Sequence, residues 1–113
     1  MAWFNGASTI NPGAGLVLVD TGPLYQGVFD LVVAIDVSVQ TTVLLELRDA
    51  TNAVTLKSRE LRLAGARYHE KFEGVDVVSG QRLRVSTVGA FVGTIEADLF
   101  TVTRYDIIQS ASP

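Results

Sequence analysis

From Phe29 to Val39 every second residue is apolar: Phe29, Leu31, Val33, Ile35, Val37 and Val39. The positions between mix Asp30, Asp36 and Ser38 with Val28, Val32 and Ala34. A repeat of two puts the odd set on one face of a β-strand. At ~3.3 Å per residue, Gly27–Val39 would extend over roughly 40 Å, so a bend or bulge is expected inside it.

The same period recurs along the chain. Gly15–Asp20 reads as a short strand, closed by a Thr21-Gly22-Pro23 turn. Thr42–Asp49 carries Val43, Leu45 and Leu47 on one face, with Leu44 among the polar residues of the other. Ala50–Ala53 reads as a hairpin turn, because Asp49 and Asn52 favour turn conformations. In the returning Ala53–Leu63, Val54 and Leu56 keep one phase and Leu61 and Leu63 the opposite one. That shift marks a bulge or a crossing between sheets.

Gly65 is a break. Arg67–Glu73 sets Tyr68 and Phe72 among charges, but Glu70 shares the aromatic phase, which suggests an edge strand. Ser79-Gly80 is a turn, Gln81–Val88 a strand, and Phe91–Tyr105 the last long one, with Phe100 and Val102 out of phase with Ile95, Ala97 and Leu99. No stretch has helical spacing. Seven or eight strands with short turns predict an all-β fold, a two-sheet antiparallel sandwich. Jelly-roll and immunoglobulin-like topologies are the candidates. The jelly roll is preferred, because long strands that change phase suit its bent sheets and no Cys…Trp…Cys pattern is present.

Gly6, Asn11, Pro12 and Gly13 interrupt periodicity at the start, so residues 1–13 are expected to form an irregular N-terminal arm. The sandwich domain then covers 14–108, and 109–113 is a flexible tail. Trp3 and Phe4 either plug the domain locally or anchor the arm on a neighbour.

The chain has 113 residues, enough for one self-supporting core, and no cysteine, so neither disulfides nor thiolate metal sites contribute. A net charge of −3 speaks against a general nucleic-acid binder. Neither a secretion signal nor an apolar run of membrane-spanning length is present in the sequence, so no membrane partner is expected. Charged residues make up only 19%, which hints that part of the surface faces protein rather than water.

Catalytic chemistry finds little support. His69 has no partner at metal-ligand spacing, no nucleophile elbow occurs, and the Gly13-Ala14-Gly15 run precedes a strand rather than a helix. Asp30 and Asp36 would lie roughly 20 Å apart on a strand, too far to share a glycosidic bond. Glu96 and Asp98, near ~7 Å, could suit an acid–base pair or a calcium site, but a solvated strand face accounts for them better. No catalytic, cofactor or metal site is expected.

Two features suggest binding instead. Lys57, Arg59, Arg62, Arg67 and Lys71 give the Lys57–Glu73 hairpin a net +2, against −5 for the remainder. They could dock on an acidic protein surface or simply form a salt-bridged edge. Val28, Val32, Ala34, Leu44 and Phe100 are apolar positions facing away from the core, where a lone sandwich usually shows polar residues. With Trp3 and Phe4 they are the candidate subunit interface.

The punctuated start MAWFNGASTINPGAG, the cysteine-free β body, the hairpin LLELRDATNAVTLKSRELRL and the segment GVDVVSGQRLRV together resemble the small jelly-roll decoration, or cement, proteins of tailed bacteriophage capsids. That resemblance implies a homotrimer made in the host cytoplasm and seated on the virion exterior, where it binds the major capsid protein and stiffens the shell. Phage tail and fibre components would look alike. The alternative from another class is a carbohydrate-binding module, which would need an exposed aromatic platform built from Trp3, Tyr25, Tyr68 or Tyr105.

Overall fold

A computed structural model describes residues 2–11, 16–63, 66–89 and 91–103. Eight strands are present among them and no helix: β1 (Ala2–Asn11), β2 (Val17–Asp20), β3 (Gly27–Val37), β4 (Thr41–Arg48), β5 (Thr55–Leu63), β6 (Ala66–Val77), β7 (Arg82–Thr87) and β8 (Phe91–Thr103). They form two antiparallel sheets, ordered β1-β8-β3-β6 and β2-β7-β4-β5. Strand β1 pairs with β8, β2 with β7, β3 with β6 and β4 with β5. The chain is thus one long hairpin rolled over on itself, which is the jelly roll and not the immunoglobulin topology.

The alternating apolar residues of β3 fill the middle of the core, with Leu31, Val33 and Ile35 all at or below 1% exposure. Val43, Leu61, Leu83, Val85, Ile95 and Leu99 meet them from the other strands. The hairpin turn forms where Asp49 and Asn52 sit. Asp49 Oδ1 accepts from the Ala53 and Val54 amides, and Asn52 takes a positive φ of 61°. The phase shift in β5 is a bulge at Leu56: Leu47 faces Lys57 while Arg48 faces Thr55. The irregularity expected within β3 lies instead in its neighbour. Phe29 faces Val75 and Leu31 faces Phe72, so β6 carries the extra residue at Glu73-Gly74, while β3 runs unbroken against β8.

Two expectations need correction. Residues 2–11 are not an irregular arm but edge strand β1, in register with β8 from Ala2↔Thr101 to Ser8↔Ile95. Gly6 does not break that strand; it allows a close approach to β2, since a Cβ there would stand 1.6 Å from the Leu18 carbonyl oxygen. The Lys57–Glu73 segment is likewise no hairpin. Strands β5 and β6 are edges of different sheets, β5 paired with β4 and β6 with β3. The expected break at Gly65, the tail over 109–113 and Tyr105 lie outside the described residues.

Candidate functional site

The outward face of the β1-β8-β3-β6 sheet is built in rows by strand register. Trp3 lies opposite Phe100, Phe100 opposite Val32, and Val32 opposite Lys71. The next row runs Asn5, Asp98, Ala34, His69, and the one beyond it Ala7, Glu96, Asp36, Arg67. The Trp3 and Phe100 rings stack nearly parallel, 9° apart in plane and 6.2 Å between centroids. Trp3 is nonetheless 63% exposed. Val32 and Val102 are exposed beside it, and Val28 and Ala34 half-exposed. A shallow depression lies between Val32, Phe100 and Val102, flanked by Asp30 and Lys71.

Polar contacts fix the aromatic end of this face. Asp98 Oδ1 accepts hydrogen bonds from the Trp3 indole nitrogen and from Asn5 Nδ2, both at 2.8 Å. Asp30 turns toward the β6 bulge and accepts from the Gly74 amide at 3.1 Å. Five of the seven candidate interface residues, Trp3, Val28, Val32, Ala34 and Phe100, therefore share one face. Phe4 alternates inward and packs against the core, and Leu44 lies on the outer face of the other sheet. The Trp3–Phe100 pair joins opposite ends of the chain, which no local spacing reveals.

The second sheet presents a different outer face. Its outward positions include Arg82 and Arg84 on β7, Glu46 and Arg48 on β4, and Glu60 and Arg62 on β5, with Leu44, Ser58 and Ser86 among them. Glu46 is 5% exposed and bonds Arg84, Arg48 and Thr55. Burial pushes its carboxyl upward, but these hydrogen bonds and the Arg84 charge outweigh that and hold it below the usual carboxylate range. The basic candidates are mostly paired: Arg59 with Glu70 at 2.9 Å, Arg67 with Asp36 at 3.3 Å and Lys71 with Glu73 at 3.0 Å. Lys57 and Arg62 have no ion pair among the described residues. His69 is exposed on β6, and no group of acids and histidine suited to a metal ion occurs among the described residues.

No protein-family model and no curated protein matches this chain. Solved structures do resemble it in fold. The globular domain of zebrafish complement 1qA protein superposes with a TM-score of 0.61 at 8% identity, over 93% of this chain and 98% of its own. A CBM4 structure gives 0.60 at 10% identity, over 88% and 71%. TmCBM61, in complex with β-1,4-galactotriose, gives 0.55 at 15% identity, over 76% of this chain; the match spans 61% of its own length. At such identities the likeness is one of fold.

Proposed function

We propose that this is a non-enzymatic structural protein that assembles with copies of itself through the outer face of the β1-β8-β3-β6 sheet. In the fuller form of this reading it is a homotrimer on the exterior of a viral shell, bound to the major capsid protein and stabilising the shell. The observation that carries self-association is the contiguous apolar surface of Trp3, Phe100, Val32 and Val102, left open to solvent by a single copy. Exposed apolar residues gathered in one place support the reading of a contact surface. The viral setting rests on the sequence resemblance alone. Mass in solution, measured by light scattering over a wide concentration range, tests the assembly. A trimer that dissociates when Trp3 and Phe100 are both changed to serine is expected, and a persistent wild-type monomer overturns it. Proteomics of purified particles tests the location, and absence of the chain from them removes the capsid role.

The parallel Trp3–Phe100 pair favours a second reading, glycan binding, since exposed rings on a sheet face can stack on sugar rings. Against it, Asp98 Oδ1 and the indole N–H already satisfy each other, which leaves fewer free polar groups beside the rings for sugar hydroxyls. Saturable glycan-array binding by a monomer would reverse this ranking.

A further inference from the structure

We propose that the open side of the sandwich between β5 and β6 is a binding cleft for a small apolar anion, an aromatic or short aliphatic group carrying a carboxylate. Inward positions along β5 run Leu63, Leu61, Arg59, Lys57, so the core-facing row turns from aliphatic to cationic halfway along. Facing it, β6 contributes Phe72 and Val75 on either side of its bulge. Between them the sheets leave a cleft of about 160 Å³, floored by Leu31, Leu45, Leu47 and Leu83. An apolar cavity of roughly 150 Å³ accepts a benzene molecule. The floor is apolar and the cations stand at the rim, so a ligand with one greasy end and one negative end matches both.

The two cations are not equivalent. Arg59 is held in place by Glu70 at 2.9 Å and lies over the Phe72 ring, 5.5 Å from its centroid. Its charge is already partnered. Lys57 lines the same cleft and has no ion pair among the described residues, so its ammonium is the group that meets the ligand's charge. Inward-pointing charges also protect edge strands from unwanted pairing. That role alone needs no room behind the charges.

Methyl NMR titration separates the two. Xenon under pressure is expected to shift the methyls of Leu31, Leu45, Leu47 and Leu83, reporting open space. Benzoate should shift the same methyls saturably, and benzylamine should bind more weakly. Lys57→Gln should weaken benzoate about fivefold while leaving the xenon response unchanged, since one rim charge is being removed. Absence of the xenon shifts, equal affinity for benzylamine, or benzoate binding indifferent to Lys57→Gln would each overturn the proposal and leave edge protection as the role of these cations.

Discussion

Glu46 shows how one buried charge can tie a sheet together. Its two oxygens collect Arg84 from β7, Arg48 from its own strand and Thr55 from β5, so three strands converge on one carboxylate. Its folded-state pKa lies below the ordinary value. The stabilisation is therefore complete above the ordinary carboxylate range and is lost as pH falls through the folded value. Asp49 is also lowered, chiefly by the Val54 backbone amide, and acts in the same direction. Glu46→Gln should cost about 3 kcal/mol at neutral pH, because Arg84 and Arg48 would be left half-buried without their counter-charge. The gap from wild type in urea unfolding should narrow on acidification; a gap independent of pH would show that charge is not what Glu46 supplies. Gly6 tests the opposite quantity, space. Gly6→Ala places a methyl against the Leu18 carbonyl, and about 2 kcal/mol of destabilisation is expected in the same assay.

At the scale of elements, period-two alternation made β3, β4, β7 and β8 legible, because their inward residues are aliphatic and their turns carry Asp, Asn or Gly. The bulge in β5 was legible for the same reason, since Leu61 breaks phase with Leu56. Strand β1 was not. AWFNGASTIN holds few β-branched residues, and its glycine looks like punctuation when it is a clearance for Leu18. Its partner β8 lies at the other end of the sequence, so only tertiary pairing makes it a strand. The apolar outer set was visible as positions out of phase. That Trp3 joins it and Phe4 does not follows from register alone. Removing residues 2–10 would therefore do two things, delete Trp3 and bare the β8 edge. The deletion is expected to aggregate in size-exclusion chromatography, whereas Trp3→Ser, which keeps the edge covered, should remain soluble and lose only self-association. A Trp3→Ser variant that still self-associates, beside a deletion that aggregates, would mean that β1 serves as an edge guard and nothing more.

For the whole molecule, the two outer faces differ: one carries an apolar row around Trp3, Phe100 and Val32 beside polar rows, and the other gathers charges around Glu46. The edge strands β5 and β6 carry five cations, yet three of these are spent on internal ion pairs. Contact through the first face and docking through the basic edge therefore respond oppositely to salt. At about 1 M salt the screening length falls to about 3 Å, which removes attraction between exposed charges but leaves apolar burial intact. Assembly through Trp3, Phe100 and Val32 should persist or strengthen in sedimentation experiments at high salt. Dissociation under those conditions, with the Trp3 and Phe100 variants behaving as wild type, would transfer the contact to Lys57, Arg62 and their neighbours, and the aromatic face would lose its role in assembly.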